Sequence, residues 1–168
     1  IDQTPGHDEV VISRTYNNET IRVMFTISDV ENAEPAFDEE AESSDDEGLG
    51  GTIFPIRCSI SITKPTGGAL TIEALAQDGL FNIESASFYK DAKLASDLTA
   101  ESDYKRRGLY LGPQFENLDP SLQEGFEAFL AERGIDENLA LLIPEYAEWK
   151  EQKEYIDWLK GVKGFVAA

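Results

Sequence analysis

One histidine and one cysteine are all the imidazole and thiol that this 168-residue chain offers for nucleophilic or metal chemistry. His7 lies beside Pro5-Gly6 in an N-terminal arm without an apolar pattern, so a Ser-His-Asp or Cys-His relay has nothing to hold the ring. A zinc-type site lacks further imidazoles and thiols, and the residues imply no metal and no cofactor. Cys58 is in phase with Phe54, Ile56, Ile60 and Ile62, which predicts a core thiol, and a lone cysteine excludes an internal disulfide. Gly48-Leu49-Gly50-Gly51 has Ile53 where a dinucleotide fingerprint needs its third glycine, and no Walker-type lysine follows.

Carboxylates are what the chain has in excess. Net charge is −19, and no Lys or Arg occurs between Arg22 and Arg57. Ten acids fall between Asp29 and Gly51: Asp29, Glu31, Glu34, Asp38, Glu39, Glu40, Glu42, Asp45, Asp46 and Glu47. General acid/base work needs two carboxylates at fixed separation in a cleft that drives their pKa values apart, which a loop of this composition does not supply. An EF-hand counted from Asp38 puts Ser43 where the sharp turn needs Gly and Leu49 where a bidentate Glu is required. Three uses remain: a surface for basic proteins or segments, a diffuse low-affinity attraction for calcium and other divalent cations, and plain solubilisation. Such a field repels phosphate backbones and anionic headgroups, so no direct nucleic-acid partner is expected. Ser43 and Ser44, followed by Asp45-Asp46-Glu47, suit an acid-directed kinase, whose phosphates would add roughly −1.5 to −2 charge each. Asn18-Glu19-Thr20 fits a glycosylation sequon but sits in a hairpin turn, where chance explains it.

These groups must be placed by an α+β domain. Hydrophobic content of 41% and aromatic content of 10% are those of a globular chain, and the length suits one domain, 1–168. No apolar run is long enough to span a bilayer, and Ile1 to Pro5 carry neither signal-peptide nor transit character. Residues 8–90 read as an antiparallel meander. Its strands are Val10–Tyr16, Thr20–Ser28, Ile53–Thr63, Leu70–Ala76 and Leu80–Tyr89, with the acidic loop 29–51 between the second and third. In the second strand Ile21, Val23, Phe25 and Ile27 alternate with polar neighbours, marking one inward face. Residues 90–118 read as a connection with an edge strand over Gly108–Phe115.

The period then changes. Asp119-Pro120 opens a helix over 119–134, with Leu122, Phe126, Phe129 and Leu130 on one face and Gly134 closing it. A longer helix spans 136–163. Leu142, Tyr146, Trp149, Ile156, Leu159 and Val162 form its apolar stripe, and Trp158 widens it. So broad an aromatic surface suits either packing on the sheet or a subunit interface.

From Tyr110 to Val166 the sequence resembles the mitochondrial glycoprotein family, the mitochondrial acidic matrix proteins whose animal members are described as complement-receptor-like. The resemblance rests on Tyr110-Leu111-Gly112-Pro113, Leu118-Asp119, Phe129-Leu130 with Arg133-Gly134-Ile135, and Lys150-Glu151-Gln152-Lys153-Glu154-Tyr155-Ile156 with Trp158-Leu159. Upstream, Thr71-Ile72-Glu73-Ala74, Asn82-Ile83-Glu84 and Phe88-Tyr89 fit its sheet, and fungal members look most similar. The resemblance implies a seven-stranded twisted antiparallel sheet, long flanking helices (an N-terminal one having no counterpart in this sequence) and a ring-shaped homotrimer with asymmetric charge. It also implies residence in the mitochondrial matrix, no enzymatic activity, and a role as multi-partner adaptor or chaperone. The clients would be basic proteins, such as those of mitochondrial translation, ribosome biogenesis and respiration.

Overall fold

A computed structural model describes residues 1–2, 4–31, 55–96 and 99–167. Five strands form one antiparallel sheet whose spatial order is the chain order: β1 (Glu9–Tyr16), β2 (Glu19–Thr26), β3 (Ile56–Lys64), β4 (Gly68–Gln77) and β5 (Leu80–Tyr89). Strand alternation puts Ile21, Val23 and Phe25 of β2, and Ile56, Cys58, Ile60 and Ile62 of β3, on one buried face, as their spacing predicts. Ile72, Ala74 and Ala76 of β4 complete that face.

The turns follow from backbone chemistry. Tyr16 pairs with Glu19, so the first hairpin turns on Asn17-Asn18 alone, with Asn17 at φ +53°. Glu19 is therefore the first strand residue rather than part of the turn. Asp78 and Gly79 both have positive φ (+53° and +76°), the requirement of a tight I′ hairpin between β4 and β5. A bulge at Glu73/Ala74 shifts the β4–β5 register.

The described residues hold five strands, where the family resemblance implies seven. Outside those five, pairing is reduced to one isolated bridge at each sheet edge, Asp2 with Val11 and Ser85 with Gln114. The edge strand expected over Gly108–Phe115 fails for a local reason. Gly112 takes φ +117° and Pro113 has no N–H, so the ladder cannot continue. The preceding connection holds two short helices, α2 (Ala92–Ser96) and α3 (Ala100–Arg107), and a 3₁₀ turn follows at Phe115–Asn117.

Two helices cover the buried sheet face. In α4 (Pro120–Glu132) the Asp119 side chain accepts from the Ser121 N–H, and Pro120 occupies the first turn. A Schellman motif ends it: the Gly134 N–H donates to Ala131 O, the Ile135 N–H donates to Leu130 O, and Gly134 sits at φ +76°. Leu130 and Ile135 are buried in the core with Phe126 and Phe129 partly so, but Leu122, expected on that face, is exposed. α5 (Glu137–Ala167) runs 31 residues, four beyond the expected end.

Candidate functional site

The acidic window joins the end of β2 to β3. Its first residues are helical, α1 (Ser28–Glu31), and Asp29 is committed to the fold: its Oδ2 accepts from the Arg57 backbone N–H at 2.8 Å. Glu31 closes α1. Glu34, Asp38, Glu39, Glu40, Glu42, Asp45, Asp46 and Glu47, with Ser43 and Ser44, lie outside the described residues. No group of three His, Cys, Asp or Glu side chains positioned to hold a metal occurs among the described residues.

Glu19 is the carboxylate that the sequence reading missed. Its phase with Ile21, Val23 and Phe25 turns it inward, where Arg133 grips it at both oxygens: Nε to Oε2 at 2.6 Å and Nη2 to Oε1 at 3.0 Å. Lys64 Nζ adds a third contact at 3.1 Å. The guanidinium also donates to Phe129 O and lies 3.4 Å from the Phe129 ring centroid and 5.2 Å from that of Tyr16. Arg133 holds the Glu19 carboxyl below the usual carboxylate range. This bidentate pair, with Lys64 beside it, pins the α4–α5 corner to the first hairpin and commits the Glu19 carboxylate to the fold.

Cys58 is fully buried, with its thiol pushed up to about 12 by desolvation, and is no nucleophile at neutral pH.

The long helix does not bury the stripe that its large residues suggest. Ala140, Ile143, Ala147 and Lys150 face the sheet and are buried. Of the expected interface set, Tyr146 is half-buried, edge-on to Phe25 at 6.4 Å, while Leu142, Trp149, Ile156, Trp158, Leu159 and Val162 are all exposed. Beyond Lys150 no described residue of the helix is fully buried. The exposed set is therefore uncovered apolar surface on a single chain, and simple packing on the sheet is not its role.

Lys150, only 1% exposed, anchors the midpoint of α5 by donating to Glu154 Oε1 at 2.7 Å. Glu154 Oε2 accepts from the Gly6 N–H at 2.9 Å, tying the N-terminal arm to the helix. These contacts, the Lys150 hydrogen bond first, lower the Glu154 pKa. Beside them opens a cavity of about 520 Å³ between the start of β1, the end of β2 and one face of α5. Ile27 contributes to its walls, with Asp8, Glu151, Glu154, Tyr155 and Trp158. The Tyr155 and Trp158 rings stack at 6.1 Å with planes 16° apart.

A meander covered on one face by two C-terminal helices, carrying a large negative charge and an acidic insertion between its second and third strands, defines a small class of acidic α+β proteins. Within that class the chain belongs to the mitochondrial glycoprotein (MAM33) family, whose model matches residues 1–166. It is 38% identical to the mitochondrial acidic protein mam33 of Schizosaccharomyces pombe, over 99% of this chain and 67% of that protein, in line with the fungal resemblance. An Arabidopsis thaliana mitochondrial protein of uncharacterised role is 30% identical over 99% of this chain, which spans 61% of its length. The complement component 1 Q subcomponent-binding protein of Bos taurus is 34% identical across 54% of the chain and 29% of the bovine protein. The Trypanosoma brucei p22 crystal structure superposes with a TM-score of 0.77 at 27% identity, covering 98% of this chain and 80% of that one. A Leishmania major homologue of human p32 shares the fold at 0.75 and 24% identity, with the same coverage of each chain.

Proposed function

We propose that this chain is a non-enzymatic acidic adaptor of the mitochondrial matrix, acting as a homotrimer that binds basic proteins or basic segments, among them components of mitochondrial translation, ribosome biogenesis and respiration. One observation carries the reading: ten acids stand in one window with no basic residue from position 23 to 56, so no neighbour in the sequence offsets their charge. At a Debye length of about 8 Å that field acts only at close range. Each exposed ion pair contributes about 0–1 kcal/mol, so affinity must come from many contacts on repeated subunits. The exposed apolar stripe of α5 supports a subunit interface, and membership of a family with a partner-binding protein in its animal branch supports recognition as the activity.

The test is capture of basic proteins from a mitochondrial matrix extract at low and high salt, with the native chain and with one whose acids from Glu34 to Glu47 are replaced by Ser and Asn. Salt-sensitive capture by the native chain alone is expected; equal recovery by both removes the window from the mechanism. Calorimetric calcium titration separates the competing reading, a low-affinity calcium buffer, which requires saturable binding at the window. Sedimentation at micromolar concentration checks the trimer, and a monomer would exclude it.

A further inference from the structure

The sheet ends in a strand that is covered over only part of its length. β5 is last in the strand order, so alternate residues along it turn their N–H and C=O groups away from β4. Over its second part the chain folds back: Gln114 bridges to Ser85, and Gly112 approaches so closely that an added Cβ would lie 3.0 Å from the Ala86 carbonyl oxygen. The bulge between Ile83 and Ser85 separates that part from Leu80–Ile83, which has no strand partner on its outer side among the described residues. This open stretch holds neither proline nor lysine, the residues with which exposed edges are commonly blunted.

Beside it lies a groove of about 270 Å³ between the strand and the α4–α5 corner. Phe81 and Ile83 line it from the strand and the buried Leu130 and Ile135 from the corner, with Glu127, Asp136 and Glu137 among its walls. Glu137 reaches back over the β4–β5 turn, its Cγ 3.2 Å from where a Cβ on Gly79 would stand. Asp136 is partly committed, since its Oδ1 accepts from the Leu139 N–H at 3.3 Å. Glu127 and Glu137 are exposed and enter none of the ion pairs among the described residues. None of these residues belongs to the apolar stripe of α5 that supports a subunit interface.

Open backbone groups beside an apolar groove are the two parts of a strand-addition site. Every second side chain of a strand laid along Leu80–Ile83 falls on the side of Phe81 and Ile83, toward the groove. One such residue meets Leu130 and Ile135, and its neighbours two positions away on either side lie near the groove's carboxylates. Acidic neighbours would meet like charge there, basic ones complementary charge. Pairing with the same edge of a second copy would bring another set of these carboxylates alongside, which disfavours that occupant.

We propose that the open part of the β5 edge and the adjoining groove receive a short extended segment of a basic protein as an added strand. Its pattern is basic-x-apolar-x-basic, with the apolar side chain on Leu130 and Ile135 and the cations beside Glu127 and Glu137. The site goes beyond the acidic window and needs no charge from it: main-chain pairing supplies affinity, and the groove supplies the pattern.

The test uses the full chain, ¹⁵N-labelled, at physiological ionic strength, with the capped peptide Ser-Lys-Thr-Val-Thr-Arg-Ser. Backbone amides of Leu80–Ile83 are expected to shift saturably. Two N-methylated versions separate strand pairing from charge attraction, because alternate N–H groups of a strand point to opposite edges. Methylating either Lys, Val and Arg or the two Thr should weaken binding at least about tenfold in one version and leave it within about twofold in the other. Exchanging the peptide's Val for Ser should cost about tenfold. Glu127→Gln combined with Glu137→Gln should cost about three- to tenfold. Both positions are exposed, and far-UV circular dichroism checks that the variant remains folded. Equal binding of both methylated versions and the parent peptide overturns the proposal. So do Leu80–Ile83 amides that ignore peptide but move with protein concentration, which would give the edge to a second copy. The chain whose acids from Glu34 to Glu47 are replaced should bind the peptide with the same shifts; loss of binding there assigns the peptide to the window and removes the groove. If matrix capture is window-independent while the Leu80–Ile83 shifts persist, the adaptor reading loses its window and the strand-addition site stands.

Discussion

Both halves of α5 carry large exposed apolar residues, but only the near half also has a buried face. Up to Lys150 the helix lies on the sheet through small residues, Ala140 and Ala147, flanking Ile143, whereas beyond it Ile156, Trp158, Leu159 and Phe165 face solvent. The difference lies in where the sheet ends and in side-chain size. Alanines let a helix approach strands closely, and the neighbouring Tyr146 reaches the core edge-on to Phe25. Hydrophobicity therefore does not mark the packed half. Within this helix the buried apolar residues serve folding and the exposed ones are available for association.

Substitutions can break that contrast at graded cost. The largest effect is expected at the corner that fixes the packed half: Arg133→Ala strands a buried Glu19 and should cost about 3–5 kcal/mol in urea unfolding. Ile143→Ala leaves a cavity under the near half and should cost about 3 kcal/mol by the same measurement. Acid sharpens the first of these. Because the folded-state pKa of Glu19 is depressed, its contribution is complete above the unfolded carboxylate value of 4.5 and is lost as pH falls through the lower folded value. Glu19→Gln should accordingly flatten the fall in stability below about pH 4.5, measured by urea midpoints across pH. The smallest effect belongs to the far half: Trp158→Ala should change single-chain stability by no more than about 0.5 kcal/mol. A loss as large as that of Ile143→Ala would show the two halves to be energetically alike.

Much of this arrangement was legible in the residues, and the failures share a cause. Period-two runs in β2 and β3 marked the inward face correctly because each strand meets one core side. Asp119-Pro120 and Gly134 marked the α4 ends because capping is decided by a few adjacent atoms. Glu19 was hidden by its position after two asparagines, and its partner Arg133 is 114 residues away, yet its phase with Ile21 already pointed it inward. In α5 the stripe drawn through the largest residues followed apolar area, whereas the Ala140-Ile143-Ala147-Lys150 spacing followed close approach. The cavity beside α5 lay beyond sequence reading altogether, since Asp8 and Glu151 come to line one space only through the docking of α5 beside β1.

Because spatial strand order repeats chain order, every sheet pairing joins successive strands, and the β1–β2, β3–β4 and β4–β5 hairpins can zip up from local encounters, while β2 must meet β3 across the acidic window. The Glu19–Arg133 bridge closes a far larger loop and is expected to form after the main barrier. Arg133→Ala should then hasten unfolding while leaving the refolding rate nearly unchanged in stopped-flow chevrons. A latch made that late sets how long the folded chain persists, not how quickly it arises.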